Sequence, residues 1–188
     1  MEHYKERHEK EEVNPKVWVG SLADYNNGNL FGKWMDANCQ PKELMEEISG
    51  MLRNSRQPYA EEWAIFDYDE FYGVNLGEYE DLEKVTAIAR GLAEHGRAFG
   101  YFASAVDCDR DKFPLFEESY VGHFDSYREY GRQVIEEFDY EKVIDELPFP
   151  LAPYITIDEE MFARDMELND MIVTAEGDGG LYVFMVVW

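Results

Sequence analysis

The chain has 188 residues, enough for one ordinary domain or a few small modules, and carries 41 Asp and Glu against 17 Lys and Arg, a formal charge of −24. Hydrophobic residues make up 45% of it and aromatics 15%, which excludes a disordered acidic tail, a class defined by few aromatics and low hydrophobicity. The charge is expected on a folded surface, and since crowded carboxylates repel one another in a compact state, a strongly basic groove is the expected partner.

No run of 18 apolar residues is present, so no membrane span or membrane partner is expected. The N-terminus, MEHYKERHEKEEV, is charged throughout and lacks the apolar stretch of a signal peptide. Cys39 and Cys108 stand far apart without CxxC or Cys/His spacing, which points to reduced thiols, a cytoplasmic location and no structural zinc. Residues 1–15 form a charged tail with no assigned role. Residues 17–188 keep 36 of the acids against 13 Lys and Arg, so the charge belongs to the folded part.

From Val17 the pattern predicts a strand (VWVGSL), a turn marked by Asn-Gly in ADYNNGN, and a second strand (LFGKWMDA). Pro41 suits a helix start, and Leu44, Ile48, Met51 and Leu52 form an apolar stripe, with Glu43, Glu46 and Glu47 facing away and almost no basic partners. A third strand follows at EEWAIFDYD, with Asp67 and Asp69 on one face before a turn at Phe71, Tyr72 and Gly73. These elements make module one, α+β and ββαβ-like, over residues 16–76. Module two, mainly helical, covers residues 77–116. Its first helix carries Leu82, Val85, Ala89 and Leu92 inward, Glu83, Arg90 and Glu94 outward, and a cap at His95-Gly96, and AFGYFASAV supplies a second helix.

Module three, α+β, covers residues 117–188. SYVGHF is a strand, and Ser126 with Glu129 is a capping box opening the helix SYREYGRQVIEEF. Pro148, Pro150 and Pro153 mark a loop, followed by a strand at YITI, a helix at DEEMFARDM and a hairpin of MIVTA and LYVFMVVW joined by EGDGG. The expected fold is an elongated α+β chain of three small modules.

Few motifs carry chemistry. Asp107, Asp109, Asp111 and Glu118 match positions 1, 3, 5 and 12 of a calcium loop, but Lys112 replaces its turn glycine and Pro114 interrupts it, so a solvated acidic loop is expected. EGDGG joins two strands rather than a strand and a helix, which makes it a tight hairpin and not a phosphate cradle. The histidines lack metal spacing, and GxSxG, HExxH and P-loop patterns are missing. No catalytic residue, metal or cofactor is expected. Trp18, Trp34, Trp63, Phe66 and Trp188 fall on strand patterns and are expected in the core.

The distribution of acids is the informative feature. Like charges four residues apart on a helix face, as at Glu43 and Glu47, cost about 0.2–0.5 kcal/mol per pair. Clustering and expected exposure select the candidate contact carboxylates: Glu43, Glu46 and Glu47; Glu61 and Glu62; Asp67, Asp69 and Glu70; Glu78, Glu80, Asp81 and Glu83; Asp107, Asp109 and Asp111; Glu117 and Glu118; and Asp125, Glu129, Glu136 and Glu137. A solvated surface, or that of an acidic globular enzyme or ion-binding protein from a salt-loving organism, is the alternative. Duplex DNA carries one charge per roughly 1.7 Å of axis, so 36 carboxylates correspond to roughly 60 Å of duplex. A compact domain of this length would be only about 42 Å across, so linear mimicry of phosphates requires modules strung end to end.

Several segments, in order, carry a family resemblance: WVGSLADYNNGNLFGKW, AEEWAIFDYDEF, LGEYEDLEKV, FEESYVGHFDSYREY, YITIDEEMFARDM and the closing GGLYVF. From about Val17 to Trp188 the chain resembles ArdA-type antirestriction proteins. That resemblance implies a non-enzymatic DNA mimic of mobile genetic elements. It would occupy the DNA-binding groove of Type I restriction-modification enzymes, formed by their specificity and methyltransferase subunits, and competitively inhibit them. It further implies an elongated chain of three modules that forms a homodimer and has no nucleic acid partner of its own.

Overall fold

The computed structural model describes residues 12–138 and 154–188, together with Lys142, Ile144 and Glu146. Helices and two antiparallel sheets make an α+β protein, and the chain divides into two compact units between Pro114 and Leu115. The expected loop at Pro148, Pro150 and Pro153 lies outside the described residues, as do residues 1–11 of the expected tail.

In the first unit, β1 (Lys16–Ser21) is the central strand between β2 (Gly32–Asp36) and β3 (Trp63–Asp69), antiparallel to both. Val17 and Val19 of β1 and Met35 of β2 are buried on one face. Against that face lies α2 (Pro41–Arg53), whose buried residues are Leu44, Ile48, Met51 and Leu52, the stripe that its periodicity predicts. Each such side chain contributes about 2 kcal/mol when fully buried. Proline in the first turn and a capping box between Gln40 and Glu43 start this helix.

β1 and β2 pair antiparallel as the expected hairpin, but the link that ends in the Asn27-Gly28 turn is longer than a two-residue loop. Ser21 accepts a hydrogen bond from Asp24 N–H and caps a short helix, α1 (Leu22–Asn26), so helix capping replaces a two-residue turn. Buried Asp24 accepts a hydrogen bond from the Ser55 hydroxyl at 2.6 Å, tying α1 to the segment after α2.

The expected aromatic core is also corrected. Trp34 is 45% exposed and Trp188 41%, and Trp18, Trp63 and Phe66 are only half-buried. On β1 and β2 the period-two alternation places Trp18 and Trp34 opposite the valines and Met35, on the face that α2 does not cover. A bulge between Trp18 and Val19 skips Phe66 in the register and turns its ring onto Trp18, centroids 5.6 Å apart.

The helices α3 (Leu82–His95) and α4 (Arg97–Ala105) follow, hinged at Gly96, whose φ of 76° favours glycine. They bury Val85, Ile88, Ala89, Leu92, Phe99 and Phe102. The acidic loop after α4 closes into a 3-10 turn, Arg110–Leu115.

The second unit holds a sheet ordered β4 (Tyr120–Phe124), β6 (Gly180–Met185) and β5 (Ile172–Gly177), all antiparallel neighbours. The short helix α5 (Phe116–Ser119) precedes β4, and α6 (Tyr127–Glu137) packs on α7 (Glu159–Leu168). Phe124, Tyr130, Val134, Ala163, Ile172, Leu181 and Val183 form the core. EGDGG closes the β5–β6 hairpin with Asp178 at φ 51° and Gly179 at φ 80°, the two left-handed residues of a tight turn.

Two details of this unit depart from expectation. YITI forms no strand: Tyr154 and Ile155 are exposed, and the segment runs into Asp158, which caps α7 by accepting from Met161 N–H. Apolar alternation makes a strand only where a sheet edge receives it. Ser126 does cap α6, but the Glu129 carboxylate accepts from Asp125 N–H at 2.6 Å instead of closing the box on Ser126.

Candidate partner-binding surface

Eighteen of the 21 candidate carboxylates are exposed, and Glu70, Glu80 and Glu129 are half-buried. Those three are built into the fold. Glu70 accepts from Asn14 N–H, Glu80 pairs with Lys84 at 3.2 Å, and Glu129 holds the start of α6.

The others divide by what already neutralises them. On α2, Glu43 closes its capping box, Glu46 lies 3.7 Å from Lys42, and Glu47 pairs with Lys33, which β2 projects onto the same side of the sheet. The outer face of α2 is therefore partnered by Lys42 from its own first turn and by Lys33 from β2, a cation that the helix sequence alone did not suggest. Asp81 caps α3 by accepting from Glu83 N–H, and Glu83 itself pairs with Arg110 at 2.9 Å. Asp109 accepts from Asp111 N–H across the acidic turn, where Asp107 and Cys108 both hold φ near 55°.

Asp67 and Asp69 extend from the end of β3 and, among the described residues, accept only from the next residue's N–H. Ile65 N–H donates to the carbonyl of Glu78, which brings the Glu78 segment alongside β3. Glu61, Glu62, Glu78, Glu118, Asp125, Glu136 and Glu137 are exposed, and none of their carboxylates is hydrogen-bonded or ion-paired among the described residues. Glu136 and Glu137 stand in the last turn of α6, which has no basic residue, where the negative end of the helix dipole opposes them. Their placement costs stability.

The field of these acids reaches neighbouring groups. The Cys39 thiol is pushed up by burial and then by Asp36, Glu43 and Glu47, and the Cys108 thiol by burial and then by Glu80 and Asp107, against an opposing effect of Lys84. Both thiols are free and their thiolates disfavoured. Among the described residues no group of three or more His, Cys, Asp or Glu could hold a metal ion, and no helix is long and apolar enough to cross a membrane. A cleft of about 560 Å³ beside the EGDGG hairpin is lined by Arg164, but that guanidinium bonds Glu160 and stacks over Tyr127 at 4.4 Å.

The model of the family described as antirestriction protein (ArdA) matches residues 17–179. The chain belongs to the ArdA family. No curated protein matches it in sequence at the level that marks a relative. Membership assigns this ArdA protein an antirestriction function, as an inhibitor whose partners are restriction-modification enzymes.

Sequence reasoning missed two features of this ArdA chain. Arg110 and Lys33 neutralise Glu83 and Glu47 from positions distant in sequence, and only the fold brings them together. The exposed aromatic face of the first sheet was detectable: Trp18 and Trp34 alternate with Val17, Val19 and Met35, and α2 packs against the face of the valines.

Proposed function

We propose that this ArdA protein is a DNA mimic that occupies the DNA-binding groove of Type I restriction-modification enzymes. It acts in the cytoplasm as a homodimer, contacts the specificity and methyltransferase subunits, and inhibits without catalysing a reaction. The observation that carries this is the set of exposed carboxylates in both units that have no counterion among the described residues, including two that the dipole of α6 disfavours. Carboxylates take the place of phosphates, whose contacts supply much of the affinity of DNA-binding proteins while base edges supply sequence preference. Having no bases to present, the mimic inhibits enzymes of differing target sequence.

The deciding experiment is competition between this protein and duplex DNA for a purified Type I methyltransferase. Inhibition that weakens as duplex concentration rises supports the mimic; inhibition indifferent to duplex removes it. The end-to-end arrangement that linear mimicry requires is tested by small-angle scattering, where the dimensions of a compact 22 kDa globule would count against it.

A further inference from the structure

The open face of the first unit's sheet combines two features that the mimicry of phosphates does not require. In its middle, Trp18 faces Trp34 in the β1–β2 register, Phe66 stacks on Trp18, and Tyr25 of α1 lies 5.2 Å from Phe66. A Cβ on Gly20 would come within 2.7 Å of both the Phe66 and Trp18 rings, and one on Gly32 within 2.6 Å of Trp18, so two glycines let these rings lie flat on the strands. Trp34 and Tyr25 stand over this floor, 45% and 58% exposed.

At one end of the face, Lys16 is opposed by Asp36 on one neighbouring strand and Asp69 on the other, with Asp67 opposite Trp18. The acids outnumber the single lysine there. Glu62 lies at the other end, its carbonyl accepting from Leu22 N–H.

We propose that this face takes arginine side chains of the partner's basic groove, which stack on Trp34 and Tyr25 and donate to Asp36, Asp67 and Asp69. The inference rests on the DNA-mimic function and names where a local anchor lies within it. Charge complementarity selects the occupant. A second copy of this chain would bring the same carboxylates against these, and a nucleic acid would be repelled by them. A guanidinium satisfies both parts of the face, because it is planar, stacks on aromatic rings and forks onto carboxylates; a lysine ammonium, a compact and strongly hydrated charge, fits the rings less well.

The test is isothermal titration of the full chain with octa-arginine and octa-lysine peptides at one salt concentration. The wild type should bind octa-arginine about tenfold more tightly. Trp34→Ala, which leaves the net charge unchanged, should lose that preference while keeping its affinity for octa-lysine, and Trp34→Phe should restore part of it. If Trp34→Ala fails to fold, Tyr25→Ala on the surface helix makes the same comparison. Equal wild-type affinities, or a preference that survives both alanine substitutions, would overturn the proposal.

Competition at the methyltransferase separates this inference from the function beneath it. Wild type displacing duplex DNA about tenfold better than Trp34→Ala supports the aromatic anchor. Equal displacement by a folded Trp34→Ala overturns the anchor and leaves mimicry standing, whereas a wild type that displaces no duplex overturns mimicry and the groove as occupant.

Discussion

Arg110 donates from Nη1 to Glu83 Oε2 at 2.9 Å, joining the turn after α4 to the first turn of α3. The hydrogen bond to Glu83 is the main reason that the Arg110 guanidinium is held above its ordinary pKa. Carboxylates that look alike in sequence are thus unequal on the surface: Glu83 is neutralised from within the chain, and Glu78, a few residues earlier, has no such partner among the described residues.

That inequality predicts an order of mutational effects. Glu83→Gln should weaken inhibition of a Type I methyltransferase by less than twofold, and Glu78→Gln by about two- to fivefold, the worth of an exposed ion pair. Arg110→Gln should strengthen inhibition by freeing Glu83. Inhibition constants for the three variants check the order, and a stronger loss from Glu83→Gln than from Glu78→Gln would refute it.

Affinity should be distributed over many acids, as it is for a protein contacting many phosphates. Asp67→Asn with Asp69→Asn should weaken inhibition modestly, and adding Glu61→Gln and Glu62→Gln should weaken it further while circular dichroism stays unchanged. The aromatic anchor is the expected exception. Loss of all inhibition on changing one carboxylate in a folded variant would instead mark a single charged hot spot.

Salt should move stability and binding in opposite directions. Screening over a Debye length of roughly 8–10 Å relieves repulsion among the carboxylates and should raise the melting temperature. The same sodium chloride should weaken binding to a basic groove. Melts and inhibition constants over one salt series measure both, and binding indifferent to salt would remove charge mimicry as its basis.

Gly131 is where α6 meets α7. A Cβ there would stand 2.0 Å from the carbonyl oxygen of Glu159, a backbone atom with no rotamer to move away. Gly131→Ala should therefore destabilise the second unit by about 1–3 kcal/mol through overpacking. Denaturant melts measure this, and a neutral result would mean that the helices can separate without cost.

Alkaline pH should destabilise the second unit. Burial pushes the Tyr120 phenol up to about 12, and burial with the Glu137 charge does the same for Tyr130, against 10.0 in the unfolded chain. Between those values the unfolded state has lost protons that the folded state retains. Stability is therefore fully present below pH 10 and falls as pH rises towards 12. The melting temperature should drop by roughly 5 °C or more across that window, and Tyr130→Phe should reduce the drop. An unchanged slope in Tyr130→Phe would assign the alkaline transition to other groups.

Local chemistry made much of this protein legible from its residues. The stripe Leu44, Ile48, Met51 and Leu52, the stop at Gly96, the Ser126 cap and the Asp178-Gly179 turn all act over a few residues, and each lies where its spacing predicts. The surplus of acids and the ordered family segments were equally visible, because neither composition nor a matched run of residues depends on folding.

What required the tertiary structure was everything decided by a neighbour distant in the chain. YITI has the alternation of a strand but pairs with no strand among the described residues, and Trp34 has the character of a core residue but lies on the face that α2 does not cover. Arg110 and Lys33 select which glutamates remain uncompensated, a choice set by side-chain positions across sequence separations that no local pattern records. The sequence by itself determined that the protein is a folded polyanion of the ArdA family. Only the packing of its strands and helices decided which carboxylates are free and which aromatic face stands open, because pairing and burial belong to surfaces brought together by folding.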